Sequence, residues 1–114
     1  LAVASNKFQA GTEELFKKFF VDIDFVAVLG QREGFPIKPD AGVVFEAMAE
    51  LPGVKPDEVL YCGDSDVDMQ TGINAGVKTI GATWGFRSRE ELAAYSPWAL
   101  ADNPEDIIDI IYGN

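Results

Sequence analysis

Short apolar runs alternate with amphipathic stretches along the whole chain, and this alternation constrains its fold more than any other feature. Residues 1–4 (Leu-Ala-Val-Ala) read as a buried strand. The stretch 12–20 places Leu15, Phe16, Phe19 and Phe20 at helical spacing. Glu13 and Glu14 fall in its first turn and Lys17 and Lys18 near its end, which suits a helix dipole. Residues 25–29 form a second predicted strand, and 30–39 a loop rich in Gly and Pro. A helix is predicted over 40–51, with Val44, Phe45, Met48 and Leu51 on one face and Pro52-Gly53 as its stop. There follow a strand over 59–62, a helix over 66–75 closed by Gly76, and a strand over 79–82. Ser88-Arg89-Glu90-Glu91 is a capping box. Residues 98–101 read as a last strand, and Asn103-Pro104 opens a helix carrying Ile107, Ile108 and Ile111. Strands that alternate with helices predict an α/β architecture, a mostly parallel sheet covered on both faces.

In such sheets ligands bind beyond the carboxyl ends of the strands, so the polar residues there carry the interest. Ser5-Asn6-Lys7 follows the first predicted strand, Lys38 lies in "PIKPD" before the second helix, and "GDSDVD" (63–68) follows the third strand. On one sheet edge these supply a hydroxyl, an amide, an ammonium and carboxylates. That set suits a phosphoryl group, whose oxygens need donors and positive charge as the transition state develops. Asp64, Asp66 and Asp68 crowd into five positions. Either a cation neutralises them, or they form a solvated loop with helix-capping acids. Taken singly, each residue has an ordinary reading as well. Ser5 is then a strand-end hydroxyl, Lys38 a solvated lysine, and Asp64 and Asp68 a cap and a surface acid.

The chain has 114 residues, enough for one small domain, and its apolar fraction of 47% is that of a globular protein. A net charge of −10 argues against nucleic-acid and anionic-membrane partners. No apolar run approaches the roughly 20 residues that cross a bilayer. Histidine is absent, so any chemistry falls to carboxylates, hydroxyls and lysines, and oxygen donors favour hard cations such as Mg²⁺. The lone Cys62 excludes an internal disulfide and fits a reducing, cytoplasmic compartment. It is expected as a small buried apolar residue rather than a reactive thiol. Trp84 and Phe86 stay open between core and pocket rim.

The motifs together resemble the C-terminal half of a phosphatase of the haloacid dehalogenase superfamily, phosphoglycolate-phosphatase type. "LAVASNK" matches the family's second motif, "KPDAGVVFEAM" its third and "VLYCGDSDVD" its fourth, and "GATWGFRSREEL" is similar to the same subgroup. The resemblance implies a Rossmann-like three-layer α/β/α parallel sheet and a Mg²⁺-dependent hydrolase of a small phosphorylated metabolite. It implies that Ser5 hydrogen-bonds the phosphoryl oxygens and that Asn6 adds its backbone N–H and its amide. Lys38 would neutralise the phosphoryl group and the nucleophile. Asp64 would bind Mg²⁺ directly, and Asp68 would act through water or by orienting Lys38. Asp66 has no role in the motif and reads as a helix N-terminal acid.

The family's nucleophile lies in an Asp-x-Asp-x-(Thr/Val) motif ahead of the Ser5 strand, at the end of a central first strand, and its cap domain lies between the two. Residues 1–114 are therefore expected to be a partial core domain lacking that strand and the cap. Alone it is expected to be inactive, with an N-terminal segment of the same protein or a second copy as its partner. The absent strand would leave two interior edges unpaired, and poor folding or rearranged pairing is the expectation for the piece by itself. Asp22-x-Asp24-x-Val26 imitates the missing motif. It follows a helix and sits at the amino end of a strand, which is the wrong edge. A non-catalytic module binding a phospholigand or a protein, and a phosphomutase of the same superfamily, are the alternatives. A dehalogenase or a receiver domain suits the motifs less well.

Overall fold

The first apolar run extends further than its composition suggests. In the computed structural model, which describes residues 1–113, β1 spans Ala2–Phe8 and takes in Ser5, Asn6 and Lys7. These three were expected beyond the strand; they lie instead where its pairing is irregular. Strand β1 runs parallel to β2 (Ala27–Gln31) with Ala2 opposite Ala27, Val3 opposite Val28 and Ala4 opposite Leu29. The register then shifts before Phe8 meets Gln31. The polar triplet thus occupies a break in the ladder, where backbone groups are released from pairing.

The described residues form two compact units, Leu1–Val54 and the unit from Lys55 onward. In the first, helix α1 (Gln9–Phe19) starts three residues earlier than the apolar spacing implied. Glu13 and Glu14 therefore lie beyond its first turn, which holds no acid, while Lys17 and Lys18 do occupy the last turn. The early start comes from side chains that bond the main chain. Thr12 is buried and donates its hydroxyl to the carbonyls of Lys7 and Phe8 at 3.2 and 3.0 Å. The Gln9 amide donates to the Val28 carbonyl at 2.9 Å and accepts from the Gly30 N–H at 2.6 Å. That amide stands in for a peptide group where β1 leaves the ladder, and it lets β2 continue into the predicted loop. Phe16 stacks on Phe20 (centroids 4.8 Å apart) and meets Phe25 edge-on at 5.2 Å.

Helix α2 (Gly42–Ala49) buries Val43 and Val44, whereas Phe45 and Leu51 of the expected apolar face are exposed. With Val43 and Val44 inward, the next turn brings Ala47 and Met48 to the same side and carries Phe45 outward. Glu46 forms a two-pronged ion pair with Arg32, whose guanidinium also lies 4.2 Å from the Phe35 ring centre. The decoy pair Asp22 and Asp24 is exposed in the turn between α1 and β2, at the amino end of that strand.

The second unit holds a parallel sheet in the order β3-β4-β5, from Leu60–Gly63, Lys78–Ala82 and Ala99–Ala101. Helices α3 (Asp66–Ala75), α4 (Arg89–Ala93) and α5 (Pro104–Tyr112) alternate with the strands as the apolar pattern requires. The caps predicted at Ser88 and Asn103 are in place, whereas α3 is capped by Ser65 rather than by Asp64. Ser65, Ser88 and Asn103 accept from the main-chain N–H groups of Asp68, Glu91 and Asp106 respectively. Gly76 closes α3 in the left-handed conformation. Met69, Ile80 and Leu92 are fully buried, each contributing about 1.5–3 kcal/mol relative to exposure. Cys62 is exposed on β3 rather than buried as expected, because inward positions alternate along a strand and the core here takes its neighbours. Partial desolvation still pushes its thiol up, away from the thiolate form.

Candidate active site

In the first unit the structure brings Asn6 and Lys38 together across 32 positions of chain. The Asn6 amide donates to the Lys38 carbonyl at 3.2 Å and accepts from the Lys38 N–H at 3.0 Å. A primary amide that meets both groups of one residue acts like a neighbouring strand, and it clamps the loop before α2 to the carboxyl half of β1. The Asn6 side chain is thereby committed to the main chain of Lys38, which differs from an amide held ready for phosphoryl oxygens. Ser5 is half-buried beside it, and its hydroxyl oxygen accepts from the Lys7 N–H at 3.1 Å. That contact uses a lone pair of the hydroxyl and leaves its proton available to donate. Asp40 accepts from the Gly42 N–H at 2.7 Å in the turn that leads into α2.

In the second unit β3 ends at Gly63 and the acidic segment turns directly into α3. Asp68 is buried, at 7% exposure, and its carboxylate gathers the turn around it. Oδ2 accepts from the Asp64 N–H and the Ser65 hydroxyl, both at 3.1 Å, and Oδ1 accepts from the Tyr61 hydroxyl at 3.3 Å. Burial raises the Tyr61 phenol far above its usual range, and the Asp68 charge adds to the effect, so Tyr61 is held as a donor. Gly63 makes this arrangement possible, since a Cβ there would stand 2.2 Å from the Asp68 Cβ. Asp66, the first residue of α3, pairs with Arg87 at 3.3 Å, consistent with its reading as a helix N-terminal acid.

Asp64 stands at the carboxyl end of β3, and a second segment reaches it. Its Oδ2 accepts from the Phe86 N–H at 3.2 Å, and its carbonyl accepts from the Arg87 N–H at 3.0 Å. Among the described residues, Oδ1 has no hydrogen-bond partner. Trp84 and Phe86, open between core and rim in the sequence, are exposed on the turn that follows β4. Tyr61, Gly85 and the Phe86 N–H were not singled out for this site from the sequence. The available signal for Gly85 and Phe86 was the "WGF" portion of the segment resembling the phosphatase subgroup, and for Tyr61 its place in "VLYCGDSDVD".

No group of three or more His, Cys, Asp or Glu side chains among the described residues is arranged to hold a metal. Mg²⁺ needs less than that. It is commonly held by one or two carboxylates, with waters and substrate phosphate completing six oxygens. One open carboxylate oxygen on a rigid strand end, fixed through its other oxygen, fits such an ion, and the donor set here is all oxygen.

Comparison with known proteins gives this geometry a family. Residues 1–82 match the haloacid dehalogenase-like hydrolases. The chain is 30% identical to a phosphoglycolate phosphatase of Vibrio vulnificus over 97% of its own length and 48% of the relative's. It is also 30% identical to the pyrophosphatase PpaX of Anoxybacillus flavithermus, over 97% of this chain and 51% of that one. Among solved structures, a Lactobacillus delbrueckii protein proposed to be a phosphoglycolate phosphatase superposes on the whole chain and 47% of its own, with a TM-score of 0.91 and 33% identity. The chain thus spans about half the length of the curated relatives it matches. It belongs to the haloacid dehalogenase-like hydrolase family.

Proposed function

We propose that residues 1–114 are the C-terminal part of the core domain of a Mg²⁺-dependent phosphatase. It would hydrolyse a small phosphorylated metabolite through an aspartyl-phosphate whose nucleophile lies outside this chain. The observation that carries this reading is the Asp64 carboxylate, held by one oxygen at a strand end and open at the other. In this reading Ser5 donates its hydroxyl proton to a phosphoryl oxygen, since its lone pair is already engaged by the Lys7 N–H. Lys38 brings positive charge to the same group, from a loop that Asn6 holds in place. Asp64 ligates the cation, and Asp68 fixes the Asp64 main chain from below. Mg²⁺, when bound, neutralises charge on the phosphoryl oxygens.

The relatives favour two substrate classes, a two-carbon phosphomonoester and inorganic pyrophosphate. The test is turnover by the whole protein of p-nitrophenyl phosphate, phosphoglycolate and pyrophosphate, with Mg²⁺ and in chelator. Mg²⁺-dependent release of phosphate that disappears on Asp64→Ala supports the reading. Undiminished turnover in chelator, or Mg²⁺ binding without turnover on any of the three, overturns it, and the second result favours a binding module.

A further inference from the structure

The turn at residues 83–87 is tied down at more points than a connecting loop needs. Its first residue is fixed to β5 by the Thr83 N–H on the Ala101 carbonyl at 2.9 Å, and to Asp102 by the Thr83 hydroxyl at 2.7 Å. Its last residue, Arg87, reaches Asp66 at 3.3 Å and Glu91 at 3.7 Å, and its guanidinium lies 4.6 Å from the Phe86 ring centre. Between these anchors the main chain presses onto one side chain, Asp64. The Phe86 N–H donates to Asp64 Oδ2. A Cβ built at Gly85 would lie 2.2 Å from that same oxygen and 2.4 Å from the Asp64 Cβ, well inside any real contact. The Phe86 ring itself is exposed, so apolar burial is not what holds the turn down.

From this geometry we infer that Gly85, Phe86 and Arg87 are positioning residues for the Asp64 carboxylate. They fix Oδ2 against the main chain and leave Oδ1 as the oxygen that meets the cation. The inference rests on the Mg²⁺ reading given above. Gly85 serves by lacking a side chain, Phe86 through its N–H, and Arg87 by anchoring the turn to Asp66 and Glu91. A carboxylate restrained in this way loses little rotamer freedom when the ion binds, which is how outer groups tune a metal ligand.

The test uses the whole protein and two variants, Gly85→Ala and Arg87→Gln. Mg²⁺ affinity is measured by calorimetry without substrate, and thermal stability is measured in chelator. Gly85→Ala is expected to weaken Mg²⁺ binding about tenfold and to raise the Mg²⁺ concentration for half-activation, with kcat largely recovered at saturating Mg²⁺. Its Tm in chelator is expected to fall by several degrees, because the added Cβ meets the Asp64 Cβ, so Mg²⁺ affinity is compared at a temperature where both proteins are folded. Arg87→Gln moves Mg²⁺ affinity in the same direction by a smaller factor and decides the matter if Gly85→Ala fails to fold. An unchanged Mg²⁺ affinity in a folded variant overturns the inference while leaving the phosphatase reading intact. A parent protein that binds no Mg²⁺ overturns both.

Discussion

Asn6 and Lys38 are joined by two opposed hydrogen bonds, amide to carbonyl and N–H to amide oxygen, although 32 positions separate them in the chain. One side chain therefore ties the lysine-bearing loop to the end of β1. Replacing Asn6 by Ala removes both bonds at an exposed site, which costs about 1 kcal/mol of stability or less. The effect on turnover is expected to be larger. Misplacing the Lys38 loop lowers kcat/KM of the whole protein about 10–100-fold. Steady-state kinetics beside a thermal melt separates the two, and an unaltered kcat/KM would show that the clamp does not serve the reaction.

Asp64→Ala removes the one open carboxylate oxygen at the end of β3. With several kcal/mol of charge stabilisation at stake, the expected loss in kcat is about 100-fold or more. Because the carboxylate accepts from the Phe86 N–H alone among the described residues, the fold is expected to survive, and circular dichroism checks that.

Asp68 behaves differently, because its carboxylate is a structural hub. Asp68→Ala leaves the Asp64 N–H and the hydroxyls of Ser65 and Tyr61 without their acceptor. Stranding partly buried donors costs about 1–3 kcal/mol. Asp68→Asn keeps one acceptor oxygen and is expected to fall between. Denaturant melts give the order, parent above Asn above Ala, and equal midpoints for Asn and Ala would contradict the hub.

The Arg32–Glu46 pair sets a pH response. The Arg32 hydrogen bonds hold the Glu46 carboxyl below its ordinary value of 4.5. A carboxylate with a depressed folded-state pKa contributes stability above the unfolded value and loses it as pH falls through the folded one. The contribution is thus in place at neutral pH and fades below about pH 4.5. Glu46→Gln is expected to lower stability at pH 7 and to flatten the acid limb. Melts from pH 7 to pH 3 on both proteins test this.

Periodicity and caps made much of the second unit legible. Ser88 and Asn103 cap as their sequence neighbours implied, and α3 begins and ends where predicted, although its cap is Ser65. The first unit was harder because its local structure depends on long-range polar contacts. The early start of α1 rests on Thr12 and on Gln9 bonding β2, some 20 residues away, which no 3.6-residue pattern encodes. The inward turn of Val43 in place of Phe45 reflects tertiary packing that overrides a plausible apolar stripe. The placement of Asp64 at the end of β3 and of Asp68 in the first turn of α3 was readable from the strand-end motif. The grip on Asp64 was not, because it is made by a backbone N–H and by the absence of a side chain at Gly85.

The two tryptophans stand at opposite ends of one sheet. Trp84 follows the carboxyl end of β4 beside Gly85, while Trp98 precedes the amino end of β5, with the Lys78 ammonium 4.9 Å from its ring centre. The chain therefore carries two built-in fluorophores of unequal duty. Half-exposed Trp84 emits from the turn that grips Asp64, and Trp98 emits from the far end under a fixed cation. With Trp98 replaced by Phe, the remaining tryptophan emission of residues 1–114 comes from the Asp64 turn, and no dye or label is needed to follow a change there.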